Sequence, residues 1–225
     1  AIAATVDVIL SRSITGNSIG AKLTIPQGTL FTDSSGNSWL SARDVTWYSN
    51  VTTCKVPIIQ HEKYTASALN NMVIPTGDRV IIHLGTLPNG KYYEQGSMSL
   101  QIGGETWVLV DTFAKSKPTD KHFMVSVDEA LNPYIMFGDG TFGKKPAAGA
   151  KITNVVFYLT NGTQGNVKSN TITSVPSVIS SSITDATVSN AYDAGGGSNY
   201  ENFTMLKEHI PLSVKTLGVA ITKED

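Results

Sequence analysis

The chain has 225 residues, of which 40% are hydrophobic and only 16% charged, and its formal net charge is −1. That balance supports a real core but offers no basic field to collect phosphates, which argues against nucleic-acid binding, and no apolar run approaches the roughly 18 residues that a membrane-spanning helix needs. A single cysteine, Cys54, excludes an intramolecular disulfide and any multi-cysteine zinc site.

Charge sits well below the usual share, and Thr, Ser, Asn and Gly fill the difference. Those residues suit turns and solvated strand faces better than helix surfaces, so a mainly β protein is expected. The length admits one large β domain or two small ones. Residues 5–10 alternate Val6, Val8 and Leu10 with Thr5, Asp7 and Ile9, a period-two pattern that predicts a strand. Residues 13–20 read as a loop. A strand over 22–25 stops at Pro26, and Gly28 opens another over 29–32. The run Asp33-Ser34-Ser35-Gly36-Asn37 is turn chemistry, followed by strands over 39–40 and 45–48.

The middle of the chain predicts strands over 56–60, 64–69, 79–84, 97–102, 106–110 and 122–127, separated by turn signals such as Pro88-Asn89-Gly90. Short strands at this spacing imply a β-sandwich or layered antiparallel sheets. Residues 134–137 run into Gly138-Asp139-Gly140, and 151–160 is the longest predicted strand. Its nearly continuous apolar run, 155–159, predicts burial on both faces. Asn161-Gly162 ends it.

Composition shifts after residue 173. Residues 174–197 are rich in Ser, Ala, Thr and Gly and read as a loop or hinge. A capping-box pattern at Ser198 and Glu201, with Phe203, Leu206 and Ile210 on one face, predicts a helix that Pro211 ends or kinks. A second start signal at Thr222 and Asp225 makes 198–225 a helical connector to a further C-terminal region. The expected organisation is a β-rich domain over 1–173, with 55–130 as an inserted subdomain, then the hinge and the connector.

No pattern points to catalysis, a cofactor or a metal. Asp33 to Asn37 lacks the alternating oxygens and distal Glu of a calcium loop. His61, His83, His122 and His209 share no ligand spacing. Asp139 has no second carboxylate or His in a motif with it, and reads instead as an Asx turn bonded to the backbone two residues on. Gly138, Gly140 and Gly143 permit positive φ or close backbone approach, and Ile135, Phe137 and Phe142 are expected to pin this turn to a core. Gly165 and Asn166 are expected to act similarly after the long strand. Trp39, Trp47 and Trp107 suit core packing, or stacking on sugars if exposed. Cys54 reads as a small core residue.

Three segments, in order, carry a resemblance. The first is Ala21 to Phe31, with Pro26 and Gly28 in an I-P-x-G-T pattern. The second joins Ile135-Met136-Phe137-Gly138-Asp139-Gly140-Thr141-Phe142-Gly143, Pro146 and Gly149 to Asn161-Gly162-Thr163-Gln164-Gly165-Asn166-Val167. The third runs from Gly196-Gly197 to Glu201, then Pro211 and 215–225. Together they are similar to the baseplate J-like family of contractile-tailed phages and related injection systems. Lys215 stands where the family pattern has Arg, and Val219 where a second basic residue often occurs. The resemblance implies a non-enzymatic wedge component of a virion tail baseplate, assembled in the host bacterial cytoplasm. Its implied partners are itself, as a dimer within a wedge, and other wedge or hub proteins. The implied structural residues are Pro26, Gly28, Gly138, Asp139, Gly140, Gly143, Gly165 and Asn166 in turns, with Glu201, Pro211, Lys215, Thr216 and Thr222 in the connector. The competing expectation is a glycan-binding β module of a tail fibre or adhesin, which needs an exposed aromatic platform. A wall hydrolase would need paired carboxylates or a metal cluster.

Overall fold

The computed structural model describes residues 1–14, 22–66, 69 and 71–200. Six strands open the chain: β1 (Thr5–Ser11), β2 (Leu23–Ile25), β3 (Leu30–Thr32), β4 (Ser38–Ser41), β5 (Val45–Trp47) and β6 (Thr53–Ile59). Eight follow: β7 (Glu62–Thr65), β8 (Ile81–His83), β9 (Tyr92–Tyr93), β10 (Ser99–Ile102), β11 (Glu105–Leu109), β12 (His122–Val127), β13 (Pro133–Phe137) and β14 (Ile152–Thr160). A 3-10 turn at Gly162–Gly165, a one-turn helix α1 (Ser177–Ser180) and β15 (Thr187–Ser189) complete the described elements. The protein is mainly β, and its sheets are antiparallel apart from the short β11–β12 pair.

The strands form two principal sheets, each with its own core. One has the order β15-β1-β6-β4-β3, the other β7-β14-β10-β11-β12-β13-β8 with β9 on β14, and β2–β5 is a separate pair. The first core gathers Val8, Leu10, Ile25, Phe31, Trp39, Trp47, Val56 and Ile58. The second gathers Leu100, Trp107, Phe123, Ile135, Ile152, Val155, Phe157 and Leu159. Cys54 is buried in the first. Alternation explains β1 and β6: their even-numbered residues Val8, Leu10, Val56 and Ile58 face inward, as a period of two requires.

The structure adds to or departs from the sequence expectations in several places. The second sheet draws on 62–160 rather than 55–130, because β6 pairs along its whole length with β1 and so belongs to the first sheet. Residues 174–197 carry little regular structure, α1 and β15 only, yet they pack on the first sheet. Ile179, Ile183, Val188 and Ala194 are buried in the first core, and β15 adds to β1. Apolar residues spaced among Ser and Thr were enough to seat this stretch, although they show neither helical nor strand period. The 64–69 strand is shorter, ending at Thr65.

The long strand β14 is not buried on both faces. Ile152, Val155, Phe157 and Leu159 point into the core, while Val156 and Tyr158 are half-exposed. The inward phase changes from even to odd at Asn154, which has φ +54. Opposite it the register slips, with Ser99 facing Val156 and Gln101 facing Thr153. One extra residue in β14 makes a bulge, and a bulge flips the side-chain phase downstream.

Candidate assembly site

The turn after β13 is built as its residues predict. Asp139 Oδ1 accepts hydrogen bonds from the backbone N–H of Thr141 (2.8 Å) and Phe142 (2.9 Å). The Gly140 N–H donates to the Gly143 carbonyl at 3.0 Å. These amides hold the Asp139 carboxyl below the usual carboxylate range, with Arg79 adding a smaller pull against slight desolvation. Gly138 and Gly143 touch backbone to backbone, so a Cβ on Gly138 would fall inside the Gly143 carbonyl group. Ile135 and Phe137 anchor the turn to the second core as expected, but Phe142 is 53% exposed. Its place is taken by Phe113, whose ring packs on Gly143. The Asp139 turn borders a groove of about 310 Å³ lined by Ile81, Met124, Met136 and Phe142 among others, in which Asp139 is the only acid and Arg79 the only base among the described residues.

The second half of that motif block meets the third block. Asn166 and Gly197 bond reciprocally: the Asn166 Nδ2 donates to the Gly197 carbonyl, and the Gly197 N–H donates to Asn166 Oδ1, both at 2.9 Å. Asn199 Oδ1 accepts from the Thr163 N–H at 3.0 Å. Gly162, at φ +56, packs so closely that a Cβ on Gly197 would strike its carbonyl oxygen. Gly165 packs against Ala4 and the Gln60 side chain. Two motif segments about thirty residues apart thus lock together over the N-terminal strand.

At this lock the chain, among the described residues, passes between the two sheets twice, once after β6 and once after β14. Gln60, fully buried, joins the two crossings. Its Oε1 accepts from Thr160 Oγ1 (2.9 Å) and the Asn161 N–H (2.6 Å), and its own N–H donates to the Ala4 carbonyl (2.9 Å). The Asn161 amide continues the chain of bonds, donating to Asn37 Oδ1 and accepting from Lys91 Nζ. Beside it, His61 pairs with Glu94 and stacks on Tyr158. Gln60 was missed from sequence, yet the signal is visible: Cys54, Val56 and Ile58 set the inward phase of β6, and Gln60 is next on that face. A polar group at a core-facing position demands partners.

Asn37 belongs to the Asp33 turn. Asp33 is buried and accepts from the N–H groups of Ser35 and Asn37, from Asn37 Nδ2 and from Trp39 Nε1. Burial alone raises its carboxyl pKa, but the Asn37, Trp39 and Ser35 hydrogen bonds outweigh it and leave the pKa lowered. A lowered folded-state value stabilises the fold above the unfolded pKa, near about 3.9, and that contribution fades as pH falls through the folded value. Asp33→Ala is therefore expected to flatten the acid limb of the stability curve. The check is urea unfolding of both proteins between neutral pH and strong acid: the gap must narrow as pH falls. A constant gap refutes the assignment.

At the first motif, the Pro26 carbonyl accepts from the Thr29 N–H and from Ser41 Oγ, and the Gly28 N–H donates to the Ser41 carbonyl. This turn ties β3 to β4 and stands apart from the other two motif segments.

No family model matches the chain, and no curated protein matches it. Among solved structures it is similar to a chain of the 6-fold symmetrised cryo-EM structure of the anti-feeding prophage (AFP) baseplate, at 14% identity and a TM-score of 0.28. The alignment covers 94% of this chain and 38% of that one, so this chain spans well under half its neighbour's length.

Glu201, Pro211, Lys215, Thr216 and Thr222 lie outside the described residues, as does most of the helical connector expected over 198–225. Ser198 bridges Ile2 with its backbone, and the helix it is expected to cap lies outside the described residues. Trp39, Trp47 and Trp107 are all core residues, at 0%, 1% and 4% exposure, so none offers a platform to a sugar. Among the described residues, no cluster of three or more His, Cys, Asp or Glu could hold a metal ion, and no helix is long and apolar enough to cross a membrane.

Proposed function

We propose that this chain is a structural component of a contractile-tail baseplate wedge, working by association with itself and with other wedge or hub proteins. The observation that carries this reading is the reciprocal Asn166–Gly197 pairing. It joins the second and third segments of the baseplate J-like resemblance and gives their glycines and amides a shared structural job. Motif residues that hold backbone to backbone, with no converging acids, suit a body that presents surfaces rather than one that turns over a substrate. In a wedge, the energy resides in buried interface area and in alternative subunit arrangements.

The test is coexpression of the full chain with the other wedge and hub proteins of its own tail, followed by affinity purification and electron microscopy. Copurification in ring-like particles is expected. A chain that stays monomeric and binds none of them overturns the reading, and so does a lytic band on a cell-wall zymogram.

A further inference from the structure

A slot of about 240 Å³ opens in the second sheet where β11 ends and β12 runs on. The β11–β12 ladder stops at Leu109–Phe123, with one last bond from the Val110 N–H to the Phe123 carbonyl. On its other edge β12 pairs with β13. The Asp128 N–H bonds to Asn132, so the alternation of an antiparallel ladder assigns the bonded pairs to Ser126–Tyr134 and Met124–Met136. Val125 and Val127 therefore turn their N–H and C=O groups away from β13 and into the slot. Among the described residues they find no partner there.

The far wall is the Tyr93–Gly96 bend. Tyr93 is 2% exposed, and its hydroxyl lies beside the Gly96 and Met98 amides and the Ser97 side chain, in bonding geometry with none of them. Tyr200 flanks the same space, and Asp111 is its only charged residue, exposed and without an ion-pair partner among the described residues.

We infer that this slot takes an extended peptide segment of a partner protein, paired to Val125 and Val127, with a basic side chain against Asp111. Backbone groups of alternate residues repeat at about 6.7 Å along a strand. A second strand matches that repeat in register, which is the physics of strand addition. The lone acid selects a basic side chain. This inference goes beyond the wedge reading: peptide binding can fail while ring assembly persists, and the reverse.

The test is amide-resolved NMR of the full chain, titrated with an acetylated and amidated pentapeptide of alternating valine and lysine. Shifts at the Val125 and Val127 amides are expected, with slowed hydrogen exchange at both. Asp111→Asn should weaken binding about two- to threefold, as for an exposed ion pair. Val125 and Val127 amides that stay unmoved at millimolar peptide overturn the inference. So does equal binding of the glutamate analogue, or a methyl glycoside that shifts Ser126 and Asp111 where the peptide does not. The Asp111 variant and the two valine amides decide it independently.

Discussion

Gly138→Ala is expected to destabilise the protein by about 2–3 kcal/mol, the range for forcing atoms into a packed site with no room to yield. The added methyl would overlap the Gly143 backbone, not a side chain that can turn aside. Either the turn opens or β13 moves, and β13 carries Ile135 and Phe137 into the second core. The comparison is Gly90→Ala. That glycine has φ +74 and open space around its would-be Cβ, so only the conformational penalty remains, about 1 kcal/mol. Urea unfolding of the two variants separates packing from backbone strain. A Gly138 variant no less stable than the Gly90 variant would show that the turn is not held by close approach.

Gln60→Met is expected to cost about 3 kcal/mol, because it strands the buried Asn161 N–H and Thr160 hydroxyl without an acceptor. The apolar replacement fills similar volume, so the loss reports the hydrogen bonds and not a cavity. Gln60 also stands where both crossings between the sheets lie, so the variant should melt as two calorimetric transitions, one per core. Gln27→Met is the control: it is exposed, and a change there should stay within about 0.5 kcal/mol. A single, unshifted transition for Gln60→Met would mean that the sheets are coupled elsewhere.

Local patterns were readable wherever the physics is local. Period-two alternation located β1 from a single stretch of chain, and short runs bounded by turn signals located β6 and β12. The Asp139 turn was legible because its donors lie two and three residues on, and the Asp33 turn because its nearest donor lies two residues on. The edge pieces were not readable. Tyr92 and Tyr93 form a strand only because Leu159 and Thr160 lie opposite them, and 187–189 only because β1 has a free side. The phase of β14 was misjudged because Asn154 inserts a bulge whose partner, the Ser99–Gln101 register, is distant in sequence.

By itself, the sequence determined the mainly β class, the turn residues Gly138 to Gly143 and the placing of aliphatic residues in cores. Each follows from steric and hydrophobic preferences acting over a few neighbouring residues. Only the tertiary structure decided that Asn166 meets Gly197, that Gln60 binds both crossings, and that Val125 and Val127 face an open slot. These depend on segments tens of residues apart in sequence being brought within a hydrogen bond's reach, and pairing at that range is set by how whole sheets pack.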